Sequence, residues 1–142
     1  MRVPVTRIDP TLPLPARATT GAVALDLVTR EDTTVEPHSL ALVPGNIVVA
    51  VPEGHALLVT LRSSTPRRLG LICPHGIGVI DQDYCGTDDE IRIQVYNVRD
   101  GSVTVPRGAR IAQALLLPTS PIEWDEVGIP AERSRGGFGS TG

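Results

Sequence analysis

Aromatic side chains are scarce in this chain of 142 residues, which has one phenylalanine, one tryptophan and two tyrosines. The hydrophobic core must therefore be built from valine, isoleucine and leucine, and each aromatic residue requires a specific explanation. A chain of this length is most economically one domain, and it is large enough to bury its own core without disulfides or metals.

Cysteine is also scarce, since Cys73 and Cys85 are the only two. Two cysteines are too few for a disulfide framework, and their wide spacing lacks the close pairing that is typical of zinc sites. We interpret both residues as ordinary thiols in a reducing compartment.

The sequence lacks an excess of positive charge, because its formal net charge is -3. General binders of nucleic acid or membrane surfaces usually carry a basic excess, so neither partner is expected, although a local arginine cluster can still bind a small anion. The chain also lacks the ~20 consecutive apolar residues of a membrane span and the apolar core of a signal peptide. We expect a soluble, cytoplasmic protein.

Long helices are not expected, because 13 prolines and 14 glycines interrupt the chain. Alternation at period two is frequent, and it places Ile91, Ile93 and Val95 on one face of a strand. AVALDLVTRED permits a helix, but its setting favours a strand. Further strands are predicted at SLALVPG, NIVVAVP, ALLVTLR, GIGVI, SVTVP and ARIAQALLL. The predicted fold is all-β, as a sandwich, jelly roll or barrel.

One short helix is predicted at SSTPRR, where a serine or threonine directly before Pro66 provides an N-cap and the proline takes the first helical position. Arg62, Ser63 and Ser64 lie between the preceding strand and this helix. A guanidinium, two hydroxyls and helix N–H groups would form a phosphate-binding site. The same residues also fit a plain helix cap beside a solvated arginine, so both interpretations stand at this point.

The stretch GVIDQDYCG, residues 78–86, ends an apolar run with Asp81, Asp83 and Tyr84. Two carboxylates two residues apart can share a strand face, either as a general acid and base or as metal ligands. Aspartates are also common turn formers, and Tyr84 would then simply cover the core. The sequence alone leaves these alternatives open.

The C-terminal segment from Ala131 to Gly142 is rich in glycine and has Phe138 as its one large apolar residue. Such a segment buries too little apolar surface to offset the conformational entropy that it would lose on ordering. This composition predicts a domain at 1–130 and a mobile arm at 131–142. It is not a P-loop, because no lysine precedes its serine and threonine. Its hydroxyls and its aromatic ring would suit a nucleotide, but its composition is also that of a disordered terminus.

Five motifs, taken in order, resemble those of the trimeric deoxyuridine triphosphate nucleotidohydrolases, or dUTPases. They are GAVALDL at 21–27, RSS at 62–64, GVIDQDYCG at 78–86, GARIAQ at 108–113 and RSRGGFGSTG at 133–142. The resemblance implies a distorted jelly-roll (β-clip) subunit that forms a homotrimer. It also implies active sites at the subunit interfaces, each completed by the glycine-rich C-terminal arm of a neighbouring chain.

The family hydrolyses dUTP to dUMP and pyrophosphate with Mg²⁺, which limits uracil misincorporation and supplies dUMP for thymidylate synthesis. By resemblance, Asp81 activates the water that attacks the α-phosphorus, and Tyr84 packs against the deoxyribose. Asp26 and Gln113 match positions that hold the waters of the magnesium ion. The substrate-binding residues implied in the same way are Arg62, Ser63, Ser64, His75, Val79, Ile80, Tyr84, Arg92, Arg133, Phe138, Gly139, Ser140 and Thr141.

The sequence departs from the family pattern near the base pocket. His75 stands where the family often has asparagine, and TDDE at 87–90 is longer than the usual hairpin turn. Neither departure removes a reacting group, but both concern the recognition of uracil.

The nearest alternative is the related dCTP deaminase, or a bifunctional deaminase and dUTPase, which shares the fold and a similar RSS segment. Deamination in that family needs a glutamate at the position that aligns with Gln94, and glutamine cannot ionise. A second alternative, a non-catalytic nucleotide-binding regulator, does not explain Asp81 together with the complete arm. A purely structural β sandwich would leave both of these features unexplained.

Overall fold

The computed structural model describes residues 1–129, which form eleven short strands and one short helix. In chain order the elements are β1 (Val5–Arg7), β2 (Leu25–Leu27), β3 (Thr33–Val35), β4 (Leu40–Pro44), β5 (Ile47–Val49), β6 (His55–Leu61), α1 (Ser64–Leu69), β7 (Leu71–Ile72), β8 (Gly78–Ile80), β9 (Arg92–Asn97), β10 (Val103–Val105) and β11 (Ala112–Pro118). The all-β prediction is confirmed.

The strands form four small antiparallel sheets. The largest has the order β2-β11-β6-β8, a second has the order β4-β9-β7, and two further pairs join β1 to β5 and β3 to β10. The longest ladder joins β11 and β6 and runs from the pair Ala112 and Leu61 to the pair Pro118 and His55. This ladder matters most for function, because both of its neighbours, β2 and β8, carry motif residues.

The core is aliphatic, as the shortage of aromatic residues predicts. Leu27, Val43 and Leu71 are fully buried, and no aromatic side chain of residues 1–129 belongs to the buried core. Alternation in β9 directs Ile93 and Val95 into this core while Arg92 stays exposed. The period-two pattern therefore identifies the buried face of this strand correctly.

Helix α1 begins at Ser64, two residues earlier than the sequence predicts. Its N-cap is Ser63, and Pro66 is its third residue, so the prediction of a cap directly before Pro66 is wrong. Thr65, the predicted cap, donates its hydroxyl to the carbonyl of Ile111 at 2.7 Å. Proline is tolerated at the third position because the first N–H groups of a helix have no intrahelical acceptor.

The ambiguous stretch around Asp26 forms strand β2, as its setting predicts. Three strands were not predicted: β1, β3 and β7. Within residues 1–129, no helix is long and apolar enough to cross a membrane.

Candidate active site

Two clefts contain most of the predicted site residues that the structure describes, although Val79, Asp81 and Tyr84 line neither of them. The first, named here the arginine cleft, has a volume of about 250 Å³. Its polar lining is Asp26, Arg62, Ser63 and Gln113, and its apolar side is formed by Ala18, Ala22, Val23 and Ala24. The structure thus brings three separate sequence motifs to one place.

The ladder of the large sheet explains this convergence. Gln113 on β11 pairs with Asp26 on β2 and, on its other side, with Thr60 on β6. Directly paired residues of neighbouring strands project from the same face of a sheet. Arg62 follows the end of β6 and therefore reaches the same face beside Asp26.

Asp26 is the electrostatic centre of the arginine cleft. Its carboxylate is 6% exposed, and Oδ1 lies 3.1 Å from Nε of Arg62. Arg62 also donates from Nη1 to the carbonyl of Arg110 at 3.1 Å, which fixes the guanidinium against the segment before β11. The second oxygen, Oδ2, lies 3.8 Å from Nη1 of Arg110 and has no hydrogen-bond partner in the described part of the chain.

Asp26 Oδ2, which has no hydrogen-bond partner among residues 1–129, fits a hydrated cation. A buried carboxylate oxygen without a donor is costly, and water or a metal commonly satisfies such an atom. Among residues 1–129, no cluster of three or more His, Cys, Asp or Glu residues is arranged to hold a metal directly. Mg²⁺ typically keeps several waters and binds substrate phosphates, so a carboxylate and the amide of Gln113 can hold it through those waters.

Ser63 lies in the arginine cleft as the N-cap of α1, but its side chain makes no capping hydrogen bond. Its hydroxyl therefore remains a donor for a ligand. Ser64, the first helical residue, lines the adjoining space between α1 and the turn before β11, together with Arg62 and Arg110. This places both hydroxyls of the RSS motif beside two guanidinium groups.

The second cleft, named here the hairpin cleft, lies between β6, β8 and β9. Predicted site residues that line it are His75, Ile80 and Arg92, and Cys73, Gly78 and Gln94 also line it. Nδ1 of His75 lies 3.7 Å from Sγ of Cys73. Val79 alternates with Gly78 and Ile80, is 56% exposed and does not line this cleft.

Asp81 follows β8 directly, so the pairing of β8 with β6 fixes where it leaves the sheet. Its carboxylate is exposed, as is that of Asp83. The chain then bends back, and the N–H of Tyr84 approaches the carbonyl of Asp81 at 3.4 Å. The stretch thus delivers one carboxylate from a strand end and one aromatic ring from a turn.

The TDDE stretch has two distinct parts. Asp89 closes an exposed turn by accepting a hydrogen bond from the N–H of Gly86 at 2.6 Å. Glu90 instead is buried, and Arg30 donates to it from Nε at 2.9 Å and from Nη2 at 3.2 Å. These hydrogen bonds raise the pKa of Arg30 above its ordinary value. Glu90 therefore belongs to the core side of the hairpin.

Asp81 and Arg62 lie towards opposite ends of β6. Ile80 pairs with Leu57 near the start of β6, whereas Arg62 follows the end of that strand. Asp81 comes one residue beyond Ile80, and a strand rises about 3.4 Å per residue. Asp81 and Arg62 are therefore separated by about 20 Å along β6.

Several predicted residues lie outside the described part of the chain. They are Arg133, Phe138, Gly139, Ser140 and Thr141. Sequence reasoning in turn missed Arg30, Cys73 and Arg110 as neighbours of the site. Arg110 could have been predicted, because it lies inside the GARIAQ motif, whereas no local pattern distinguishes Arg30.

The dUTPase family model matches residues 11–142. The chain is also 42% identical to a deoxyuridine 5'-triphosphate nucleotidohydrolase of Dictyoglomus turgidum, over 100% of this chain and 99% of that protein. The all-β fold and these matches define the class of the protein as a nucleotide hydrolase. The chain belongs to the dUTPase family.

Solved structures agree with this assignment. The dUTPase of Streptococcus mutans matches with a TM-score of 0.78 and 30% identity, covering 84% of this chain and 98% of that one. The dUTPase of Staphylococcus bacteriophage 80alpha with dUPNHPP matches with a TM-score of 0.87 and 24% identity, covering 99% of this chain and 98% of that one. The predicted fold class, a distorted jelly roll, is confirmed.

Proposed function

We propose that this chain is a dUTP diphosphatase, which hydrolyses dUTP to dUMP and pyrophosphate. The observation that carries the proposal is the arginine cleft, where Arg62, Ser63 and a buried, half-paired Asp26 meet. Guanidinium and hydroxyl donors suit phosphate oxygens, and the free carboxylate oxygen suits a hydrated Mg²⁺. Relatives named deoxyuridine 5'-triphosphate nucleotidohydrolase support dUTP as the nucleotide.

Asp81 is the proposed general base. Its exposed carboxylate would take a proton from a water molecule as the water oxygen attacks the α-phosphorus. A bond from that oxygen to phosphorus forms, and the bond from phosphorus to the bridging oxygen of pyrophosphate breaks. The strand end that carries Asp81 is fixed by the pairing of β8 with β6, which holds the base in a constant position.

Mg²⁺ is the proposed cofactor. When bound, it neutralises charge on the phosphate oxygens and orients the triphosphate. Asp26 and Gln113 would hold its waters from neighbouring positions on β2 and β11. Arg62 would bind phosphate oxygens and keep the Asp26 carboxylate oriented through the 3.1 Å contact.

The nucleoside would lie against the hairpin that borders the hairpin cleft, because the cleft itself, at about 30 Å³, is too small to enclose it. His75, Val79, Ile80 and Arg92 are its proposed neighbours, with Val79 contributing its backbone because its side chain does not line the cleft. The Tyr84 ring would pack against the deoxyribose and leave no space for a 2′-hydroxyl.

A complete site would need more than one chain. About 20 Å along β6 separates the base Asp81 from the phosphate ligand Arg62, which is too far for one α-phosphorus to contact both. We therefore infer that a neighbouring subunit completes the site, and the resemblance to dUTPases makes the proposed assembly a homotrimer in which one subunit supplies Asp81 and its neighbour supplies Arg62. The segment 131–142 is the proposed arm that closes the site, through Arg133, Phe138, Gly139, Ser140 and Thr141.

The test is to incubate the purified protein separately with dUTP, dCTP, dTTP and UTP in the presence of Mg²⁺, and to identify products by chromatography. The expected result is dUMP with pyrophosphate from dUTP, and little turnover of the other three. Release of dUTP from dCTP would replace this proposal with a deaminase. Lack of turnover with tight dUTP binding would instead indicate a nucleotide-binding regulator.

A further inference from the structure

Tyr84 is held at one end by a hydrogen bond across the hairpin. Its hydroxyl donates to the backbone carbonyl of Glu90 at 3.2 Å. The residue is 37% exposed and lies in a run of exposed residues at 81–88. The hydroxyl contact is therefore a second anchor for the ring, in addition to its attachment at Cα.

Glu90 is the first buried residue after that exposed run, and its carboxylate is fixed from several directions. Arg30 donates to both oxygens, at 2.9 and 3.2 Å, in a fork geometry that allows little rotation. The N–H of Asn46 donates to Oε1 at 3.0 Å. Nη2 of Arg92, which lines the hairpin cleft, lies 3.7 Å from Oε2.

The backbone around Glu90 is equally constrained. The N–H of Ile91 donates to the carbonyl of Ile47 at 2.9 Å, and the carbonyl of Ile91 accepts from the N–H of Gly45 at 2.9 Å. Arg30 is fixed at its own backbone by donation to the carbonyl of Pro44 at 2.9 Å. The acceptor that holds the Tyr84 hydroxyl therefore belongs to the rigid part of the molecule.

We propose that Glu90 and Arg30 are positioning residues that hold the Tyr84 ring in place, and that this clamp sets the preference for deoxyribose over ribose nucleotides. The inference rests on the proposed function, in which Tyr84 contacts the sugar. A ring anchored only by its Cα would move enough to admit a 2′-hydroxyl. Anchored at both ends, it keeps the gap to the sugar constant.

The clamp predicts a specific change in selectivity. Tyr84→Phe keeps the ring and removes only the hydroxyl, so dUTP should still be hydrolysed. The ratio of kcat/KM for dUTP to that for UTP should fall roughly three- to tenfold, the range of one net hydrogen bond. Arg30→Gln should lower the same ratio, and Arg30→Lys should restore part of it, because lysine keeps the charge without the fork.

The matched control is Arg107→Gln, which breaks a different pair of an arginine and a carboxylate. In that pair, Nη2 of Arg107 lies 2.6 Å from Oδ2 of Asp9. This variant should lower the melting temperature but leave the dUTP to UTP ratio at the wild-type value. A merely structural role of Arg30 would give the same pattern as this control.

The outcomes separate the two proposals. A wild-type protein that does not hydrolyse dUTP overturns the proposed function and this inference with it. If the wild type is active and Tyr84→Phe leaves the ratio of kcat/KM for dUTP to that for UTP unchanged, this inference is overturned and the proposed function stands. If Arg30→Gln does not fold, Tyr84→Phe still decides the question, because it changes one partly exposed hydroxyl.

Discussion

Gln113 and Asp26 are direct partners across the β11 and β2 ladder, and both face the arginine cleft. The pairing joins two motifs that are far apart in the sequence. It leaves Asp26 with one oxygen near Arg62 and the other without a hydrogen-bond partner among residues 1–129.

Asp26→Asn should weaken the apparent affinity for Mg²⁺ that this arrangement implies. An amide in place of the carboxylate loses the charge that attracts a hydrated cation. Outer ligands of this kind typically contribute 10- to 100-fold to metal affinity, so the Mg²⁺ concentration for half-maximal rate should rise by about tenfold or more. The measurement is the initial rate of dUTP hydrolysis against Mg²⁺ concentration. Gln113→Ala should shift the curve in the same direction.

If the dependence of the rate on Mg²⁺ concentration is unchanged in both variants, Asp26 and Gln113 do not hold the metal. The control is Asp125→Asn, which removes an exposed carboxylate outside both clefts. Melting temperatures of all variants show whether a change in rate reflects loss of the fold, since Asp26→Asn also removes the partner of Arg62.

Asp81→Asn should abolish turnover while preserving binding. The amide has nearly the shape of the carboxylate but cannot accept the proton of the attacking water. General-base catalysis contributes about 10²- to 10⁴-fold, so kcat should fall by roughly 10³-fold. Binding of a non-hydrolysable dUTP analogue, measured by calorimetry, should change little. The matched control is Asp83→Asn, because Asp83 is exposed on the same bend, and its kcat should stay close to wild type.

Acid should destabilise the fold through Asp9. Its carboxylate accepts hydrogen bonds from Arg107 and Thr11, and these hold its pKa well below the ordinary value. A carboxylate with a depressed folded-state pKa stabilises the fold above its unfolded pKa, and this contribution is lost as pH falls towards the folded pKa. The melting temperature of wild type should therefore exceed that of Asp9→Asn at pH 7.

The difference in melting temperature should shrink as pH falls below about 4, the pKa of an unfolded aspartate. High salt should reduce it at every pH, because the pair with Arg107 is partly exposed. A difference that stays constant from pH 7 to pH 3 would show that the carboxylate charge does not contribute.

Much of the fold follows from local pattern. The alternation of Ile91, Ile93 and Val95 identifies a buried face without any knowledge of the partner strands. Strands β1, β3 and β7 escaped prediction, whereas the equally short β5, β8 and β10 were predicted because they lie in recognisable apolar or alternating stretches. The strand conformation of the three that escaped comes from tertiary pairing, as between Leu71 and Asn97.

The site was only partly predictable for a related reason. Asp81, Arg62 and Asp26 lie in motifs with a recognisable order, so they could be named from the sequence. The clamp on Tyr84 could not, because Arg30 and Glu90 are 60 positions apart and meet only in the folded chain. The predicted cap at Thr65 was wrong because its hydroxyl bonds to Ile111, a partner that local sequence does not reveal.

Subunit complementation tests whether a neighbouring chain completes the site. Asp81→Asn removes the proposed general base, and Arg62→Ala removes a proposed phosphate ligand. Each variant alone should therefore be inactive. If every site takes Asp81 from one subunit and Arg62 from another, random mixed trimers contain sites with both wild-type residues. Each mixed trimer, whichever variant is in excess, contains one such site out of three, so the purified mixed species should recover about a third of wild-type activity.

The variants are co-expressed with different affinity tags, and the mixed species is purified through both. The control pairs Asp81→Asn with a chain that carries both substitutions, in which every site lacks Asp81 and no activity should return. If one chain formed the whole site, every chain of the first mixture would carry a defect and activity would stay absent. Recovery in the first mixture but not in the control therefore indicates a site shared between subunits. The distance of about 20 Å along β6 between Asp81 and Arg62 already argues against a site within one chain.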